Sequence, residues 1–343
     1  MFSLQDAIDA FNDLSPQERD LFLTAVFSGV RTARNSPPSQ LDGPRFADGL
    51  KCPNCASVRV VKNGKGRGYV QRYLCRGCGR TFSFRTGTFL SHSRKDIAKW
   101  RLYVKTMELR LSLRKAAKAC QITLKTAFQW RHKILDALRE RHEAKTRISG
   151  IVEADETFFR LSFKGMRHLE EIIGRKPRKR GGAVAFRGLS KEQVCVPCGI
   201  GRDDGRALFS AACLGRPSWK SIENAFGGGK IAESSVFCTD KANGYGKFAS
   251  NNGIKHIQLK GGKCRTGIYH IQHVNAYHSG LKAFLAPFLG VSTKYLPNYL
   301  AWNDINRIAS RDEMDWVPFV ECEAIKGRVD YSAHKLWERP RHP

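Results

Sequence analysis

Two pairs of cysteines near the start of the sequence constrain its fold more than any other feature. Cys52 and Cys55 form one CxxC pair, and Cys75 and Cys78 form a second pair after nineteen intervening residues. Four thiolates at this spacing are typical of a structural Zn²⁺ site, in which each pair presents two ligands from one tight turn. Two β-type runs around a Gly- and Lys-rich turn separate the pairs, and TFSF follows as a third run. The pattern predicts a zinc ribbon and disfavours four unrelated thiols.

A helical region from about Asp96 to Leu138 follows the cysteines. Ser112 and Thr123 are good N-cap residues for a short helix and a second helix on either side of a turn. This arrangement favours a helix-turn-helix, although a plain helical hairpin fits the same pattern. The side chains predicted to face the major groove or the phosphates are Lys125, Thr126, Gln129 and Arg131.

The net charge of the chain is +28, which points to a polyanionic partner. Residues 51–150 hold 25 Lys and Arg against 5 Asp and Glu, and so account for +20 of that charge. Nucleic acid is therefore the first expected partner, and an acidic membrane surface is the second.

We expect an intracellular protein without a membrane span. No apolar run approaches the roughly 18 residues needed to cross a bilayer, and the N-terminus lacks the basic start of a secretory signal. Eleven cysteines in a reducing compartment indicate metal ligands and free thiols more than disulfides. Cys195 and Cys198 form a third CxxC inside a strand-like run, and core packing is favoured over metal binding for them.

The second half of the chain is predicted to be an α/β domain with a partly antiparallel sheet. Before the ribbon, residues 2–34 are predicted to be helical, and residues 35–49 are predicted to be a linker rich in Pro, Gly and Ser. The predicted strands of the second half are 151–159, 193–204, 207–215 and 234–240, with a helix at 218–226.

Two aspartates, Asp155 and Asp240, each end an apolar run. A buried carboxylate at the end of a strand is costly unless a cation compensates it, which favours a Mg²⁺ site over two unrelated cap or turn residues. Strand alternation places Glu153, Asp155 and Thr157 on one face and Glu156 on the other. The sequence therefore favours Glu153 over Glu156 as an auxiliary ligand.

No Asp or Glu occurs from Lys241 through Asn303, where a third acid would be expected. In helical register Asn275, His278 and Lys282 form a polar strip beside an apolar stripe. Zinc binding by the histidines of this region is disfavoured, because their offsets of 3 and 5 residues fit a helical chelate poorly.

Three motifs, VEADETFF, CTDKANGY and HIQHVNAYHSGLKAFLAPFLGVSTKYLPNYLAW, follow the paired CxxC ribbon. Together they resemble bacterial insertion-sequence transposases of the ISXO2-like kind, which have an N-terminal zinc ribbon and an RNase H-like domain of the DDE type. The resemblance covers roughly residues 48–305. It implies an RNase H-like mixed-sheet catalytic domain preceded by the ribbon and the helix-turn-helix. It also implies that Asp155 and Asp240 are the two acids, that Asn275 replaces the final Glu, and that Lys282 is the trailing lysine.

The resemblance implies metal-dependent DNA cleavage at the element ends and strand transfer into target DNA. Mg²⁺ or Mn²⁺ would be held by Asp155, Asp240 and Asn275, whose amide oxygen would replace a carboxylate oxygen, while Lys282 would contact a phosphate. With two charges at the site instead of three, the metals are expected to bind more loosely until DNA is present. A basic run in a loop would bind phosphates through Arg175, Lys176, Arg178, Lys179 and Arg180.

The expected partners are double-stranded DNA, as terminal inverted repeats and as target, and further copies of the chain. A cytoplasmic, nucleoid-associated location is expected. A DNA-binding regulator without activity and an RNase H-like nuclease that does not join strands are the alternatives. The predicted boundaries are 1–47 for a helical region and linker, 48–90 for the ribbon, 91–147 for the helix-turn-helix, 148–305 for the catalytic domain and 306–343 for an unassigned tail.

Overall fold

The chain divides into two compact units, and one boundary between them in the sequence falls within a long helix. The first unit contains described residues up to Ala137 and the segment 315–329, and the second contains described residues from Leu138 to Met314. The predicted helical segment 2–34 lies outside the described residues. The computed structural model describes residues 41–66, 69–166, 171, 189–240, 243–259, 265–329 and 339.

Three short antiparallel strands form the predicted ribbon in the first unit. Its buried centre consists of Cys52, Cys75 and Phe82, and the ring of Tyr73 stacks on Phe82 at a centroid distance of 5.5 Å. So small an apolar centre cannot keep a module of this size folded by itself, which is why such modules need a cross-link or a metal. The strands are β1 (Val60–Lys65), β2 (Gln71–Cys75) and β3 (Thr81–Phe82), in the order β1-β2-β3.

Part of the predicted linker is instead packed structure. A short helix, α1 (Asp42–Arg45), begins after Leu41, whose side chain is buried. The ring of Phe46 contacts Tyr73 and Phe82 of the ribbon at centroid distances of 5.6 and 6.5 Å. The linker prediction was wrong from residue 41 onward, because Phe46 packs on the apolar centre of the ribbon and Leu41 is also buried.

Three helices follow the ribbon with the predicted caps. The Ser112 hydroxyl accepts a hydrogen bond from the backbone of Lys115, and Thr123 Oγ1 accepts one from the backbone of Thr126 at 3.1 Å. The indole rings of Trp100 and Trp130 stack at 3.7 Å. The helices are α2 (Ile97–Glu108), α3 (Leu113–Ala119) and α4 (Leu124–Lys145).

The described part of the segment left unassigned by the sequence, residues 306–329, is largely helical. Helix α9 (Trp316–Lys326) belongs to the first unit and packs on α1 and α2. The carboxylate of Glu321 accepts two parallel hydrogen bonds from Arg101, at 3.1 and 3.0 Å. The Arg45 guanidinium donates to the carbonyls of Ile325 and Lys326.

The second unit is built on one mixed sheet, as predicted. Its order is β6-β5-β4-β8-β9, and β7 pairs with β5. Pairs β4·β5 and β5·β6 are antiparallel, whereas β4·β8 and β8·β9 are parallel. The central strand is the first of this unit, β4, which pairs antiparallel with β5 on one edge and parallel with β8 on the other, as in the RNase H-like arrangement. The strands are β4 (Ile151–Arg160), β5 (Gln193–Gly201), β6 (Ala207–Phe209), β7 (Cys213–Leu214), β8 (Val236–Thr239) and β9 (Lys255–Gln258).

Helices cover both faces of this sheet. A separate antiparallel pair of short strands, β10 (Arg265–Thr266) and β11 (Tyr269–His270), precedes α7. Single 3₁₀ turns at Ala286–Phe288 and Thr293–Tyr295 connect α7 to α8. The helices of this unit are α5 (Trp219–Phe226), α6 (Asn243–Asn251), α7 (Gln272–Leu285) and α8 (Leu296–Arg311).

The two faces of the sheet bury different side chains. Val152 and Ala154 of β4 belong to an apolar cluster with α5 and α6. On the other face, Cys198 of β5 packs with side chains of α7 and α8, in agreement with the core role predicted for it. Glu153 and Asp155 pair directly with residues of β5 on this second face, which α7 covers.

Within the described ranges, no helix has both the length and the apolar character that crossing a membrane requires.

Candidate functional site

Three carboxylates converge where β4 passes the end of β8. Asp155 and Glu156 are consecutive residues of β4, and Asp240 follows the last residue of β8. Each offers an oxygen within 4.8 Å of an oxygen of the other two, and each is partly buried. The convergence of the two predicted aspartates follows from parallel pairing of their strands, because Ala154 pairs with Thr239 and the next residues are neighbours.

Glu156 was ranked as the poorer ligand, but the structure places it in the acidic cluster. Alternation still directs Asp155 and Glu156 to opposite faces of β4, but the two faces are separated at an edge only where a neighbouring strand closes that edge. The pairing of β4 with β8 ends at Ala154, whereas β4 continues to Arg160. Side chains from both faces therefore reach the open edge beside Asp240. The adjacent acids Asp155 and Glu156 in the sequence ADET could have indicated this role of Glu156, but only together with the position at which β8 ends.

The cluster is electrostatically strained without a cation. Burial, followed by the nearby charges of Asp155 and Asp240, raises the pKa of Glu156 to about 7. Burial also raises the pKa of Asp155, and Asp240 adds to this effect while the charge of Lys282 opposes it. Oxygen donors from several carboxylates suit hard divalent cations such as Mg²⁺ and Mn²⁺. The donor set therefore fits the metal that the sequence predicted.

Helix α7 borders the cluster through the polar strip predicted for it. His278 is 7% exposed, and its Nδ1 lies 3.9 Å from Oδ2 of Asp155. Burial, with a further contribution from the charge of Lys282, lowers the pKa of His278 to about 4, so the ring is neutral near pH 7. Lys282 and Asn275 are exposed on the same strip.

Glu153 lies in a separate cluster that anchors α7 to the sheet. Its side chain is fully buried, and Oε1 accepts a hydrogen bond from Arg202 Nε at 2.6 Å and lies 2.7 Å from Nδ1 of His273. Oε2 accepts hydrogen bonds from the backbone amides of His273 and Val274, at 2.8 and 3.3 Å. A carboxylate at the first amides of a helix satisfies donors that have no partner within the helix. Glu153 thus fixes the start of α7.

The surroundings of Glu153 do not suit a metal. His270, His273 and Glu153 bring ligand atoms within 4.8 Å of one another, but Arg202 occupies the same carboxylate oxygen. Burial by itself raises the pKa of Glu153, and hydrogen bonds from His273 and Arg202 outweigh it and hold the pKa below 4.5. The carboxylate therefore stabilises the fold above about pH 4.5, and this contribution is lost as the pH falls through its lowered pKa.

The four predicted cysteine ligands come together in the ribbon, with Sγ atoms within 4.8 Å of one another. Cys52 and Cys78 have Sγ atoms 3.7 Å apart, and those of Cys55 and Cys75 are 3.6 Å apart. A tetrahedron with Zn–S distances of about 2.3 Å has sulfur–sulfur edges of about 3.8 Å. Backbone amides of Cys78 and Gly77 outweigh burial and lower the pKa of Cys75 to about 6. The residues fit a closed, structural Zn²⁺ site.

The predicted DNA-facing residues divide into three groups. Lys125 is exposed at the start of α4, and Thr126 and Gln129 are half-buried. Arg131 is 1% exposed and donates to the carbonyl of Leu111 at 2.7 Å, so the prediction that it faces DNA is corrected. Arg131 lies on the buried side of α4, where its aliphatic stem packs and its guanidinium binds the backbone at Leu111, before α3. The basic residues Arg175, Lys176, Arg178, Lys179 and Arg180 lie outside the described residues.

Comparison with known proteins gives one informative relative. No model of a protein family matches the sequence. A protein of Halobacterium salinarum, described as an uncharacterized protein in transposable element ISH50, is 27% identical over 262 residues, which are 75% of this chain and 84% of that protein. The chain is therefore similar, over most of its length, to a protein encoded in a transposable element.

Two solved structures show only weak overall similarity. The structure of the HTLV-2 integrase catalytic core domain in complex with magnesium (dimeric form) is 12% identical and has a TM-score of 0.28. The match covers 46% of this chain and 86% of the integrase chain. A chain of the pre-cleavage Mos1 transpososome is 8% identical and has a TM-score of 0.21. The match covers 70% of this chain and 81% of the transpososome chain.

Replacing Glu153 by Ala removes the acceptor of the α7 amides and leaves Arg202 without its carboxylate. We expect a loss of about 3–5 kcal/mol in the free energy of unfolding of the second unit, because one member of a buried pair is left uncompensated. Urea denaturation followed by circular dichroism measures it. Asp312→Asn, which breaks an exposed pair with Arg311, is the control and should leave the stability close to that of the wild type, because exposed ion pairs contribute little. Equal stability of the two variants would contradict the anchoring role.

Removing zinc should unfold the ribbon, since binding of a structural metal contributes directly to folding. We expect the purified protein to release one equivalent of Zn²⁺ to a strong chelator, with loss of the NMR dispersion of residues 50–85. Cys75→Ser should contain no zinc, whereas the control Cys322→Ser, on α9, should keep it. A metal-free protein with an unchanged ribbon spectrum would rule out the site.

Proposed function

We propose that the chain is an insertion-sequence transposase of the ISXO2-like kind, which cleaves DNA at the ends of its element and joins them to target DNA. The convergence of Asp155 and Asp240 where the parallel pairing of β4 with β8 ends carries the proposal. The net charge of +28 and the similarity to the protein of transposable element ISH50 support it.

The acidic cluster is where Asp155 and Asp240 would hold Mg²⁺ or Mn²⁺, with the amide oxygen of Asn275 as a further donor. Bound ions of this kind polarise phosphoryl oxygens and favour deprotonation of an attacking hydroxyl or water. Asn275 is exposed on α7, so its amide is accessible to an incoming DNA strand. The remaining contributions come from the side chains of α7 and from the residues that hold this helix.

Helix α7 supplies the positive charge and the shape of the site. Lys282 is exposed, and its charge already acts on Asp155, so an incoming phosphate would meet a cation at this position. His278 is neutral and buried, and it fixes the distance between α7 and β4 without adding charge. Glu153 and Arg202 keep the start of α7 on the sheet, which holds the strip in register with the carboxylates.

The first unit would bind the DNA ends. Lys125, Thr126 and Gln129 lie at the start of α4, the position at which a recognition helix meets the major groove. The ribbon, the basic run at residues 175–182 and the +20 charge of residues 51–150 would contribute contacts to phosphates. Terminal inverted repeats and target DNA are the proposed substrates, and pairing of two ends implies a homo-oligomer on DNA.

Asp155→Asn and Asp240→Asn should each lower strand joining by at least about 10²–10³-fold, because a charge positioned for the transition state is lost. Binding of DNA that contains the element end should stay within about twofold of the wild type, since the first unit is unchanged. The measurements are a gel assay of joined product with Mg²⁺ or Mn²⁺ and fluorescence anisotropy of a labelled end.

Glu233→Gln, an exposed acid of the second unit, is the matched control and should keep wild-type joining. Cleaved but unjoined DNA from the wild type would indicate a nuclease. DNA binding without cleavage would indicate a regulator. Wild-type turnover by either aspartate variant would refute the assignment of the site.

A further inference from the structure

The sequence leaves the proposed active site one acid short, and the structure supplies an acid from an unexpected place. No Asp or Glu occurs between Lys241 and Asn303, so α7 contributes no carboxylate. Glu156 nevertheless brings an oxygen within 4.8 Å of oxygens of both Asp155 and Asp240. It does so from the same strand that carries Asp155, one residue further along.

Strand geometry makes this position available. β4 and β8 pair up to Ala154 and Thr239, and β4 then runs on without a parallel neighbour at that edge. The backbone of Glu156 remains paired with β5 through Pro197, so it is held in the sheet on one side only. The side chain can therefore turn around the open edge toward Asp240 while the backbone stays fixed.

A second observation indicates that the cluster is built for a ligand. The side chain of His278 is nine-tenths buried against the cluster, with Nδ1 3.9 Å from Oδ2 of Asp155, which is beyond hydrogen-bond distance. Its other nitrogen, Nε2, is buried and has no hydrogen-bond partner among the described residues. A buried ring nitrogen without a hydrogen-bond partner is costly, so such groups are rare unless a ligand or ion completes their surroundings.

We propose that Glu156 is the third metal-binding carboxylate of this site and takes the part of the acid that Asn275 lacks. The ligand is a divalent oxygen-seeking cation, Mg²⁺ or Mn²⁺. The inference rests on the proposed function, because it names a further residue of the same site.

The proposal changes the expected metal affinity. With Asp155 and Asp240 alone, the site would have two negative charges and would bind metal loosely until DNA arrived. With Glu156 it has three, so the protein should bind Mn²⁺ without DNA. Asn275 is exposed and neutral, so the third acid is supplied without a fourth negative charge that would repel a DNA phosphate.

The test is calorimetric titration of the full, zinc-loaded chain with Mn²⁺ in the absence of DNA. Loss of a residue that hydrogen-bonds to a metal ligand typically lowers metal affinity about 10–100-fold. Glu156→Gln removes a metal ligand itself, so it should lower the Mn²⁺ affinity at least about tenfold. Glu156→Asp keeps the charge on a shorter arm and should recover part of the affinity. Glu233→Gln should titrate like the wild type, and the melting temperature of each variant reports whether it is folded.

The outcomes separate this inference from the proposed function. If Asp155→Asn abolishes Mn²⁺ binding and strand joining while Glu156→Gln binds Mn²⁺ within twofold of wild type, Glu156 is not a ligand and the transposase proposal stands. Mn²⁺ binding by the wild type only when DNA is present would also overturn the role of Glu156. If the wild type neither binds Mn²⁺ in either condition nor joins DNA, the proposed function itself fails.

Discussion

Parallel pairing between β4 and β8 is the constraint on which the site depends. The register of Ala154 with Thr239 makes Asp155 and Asp240 neighbours although they are far apart in sequence. The same pairing, by ending where it does, opens the edge that Glu156 uses. Packing of Phe237 in β8 against Phe226, Tyr245 and Phe248 fixes β8 from the opposite face. The acidic cluster is thus a consequence of where β8 stops beside the longer strand β4.

A second, independent restraint sets the position of α7. Glu153 and Asp155 lie on the same face of β4, but they have opposite electrostatic situations. Hydrogen bonds and the charge of Arg202 compensate Glu153. Asp155 lies beside two further acids and a neutral histidine, and the charge of Lys282 compensates it in part. One carboxylate therefore stabilises the fold, and the other remains available for a cation. This division of roles within two residues links the anchoring of the helix to the chemistry of the site.

Local patterns in the sequence predicted the elements well. The CxxC spacing, the caps at Ser112 and Thr123, and the strand containing Asp155 agree with the structure, because each depends on neighbouring residues. The mixed α/β sheet was also predicted, with its RNase H-like character implied by the family resemblance.

The errors arose where tertiary contacts decide. Burial of Arg131 depends on the turn at Leu111, and the packing of Phe46 depends on the ribbon. Glu153 and Glu156 exchanged their expected places because alternation gives no information about Arg202 or about where β8 ends. Which residues carry the catalytic roles remains a prediction, since such roles depend on bound metal and DNA.

The most direct test of the account is the position of a bound metal. Crystals of the protein soaked with Mn²⁺ and measured at a wavelength that gives manganese anomalous scattering locate the ion without reference to activity. We predict a peak among the carboxylates of Asp155, Glu156 and Asp240. A peak at Glu153, His270 and His273 instead, or no peak in the second unit at saturating Mn²⁺, would contradict the account.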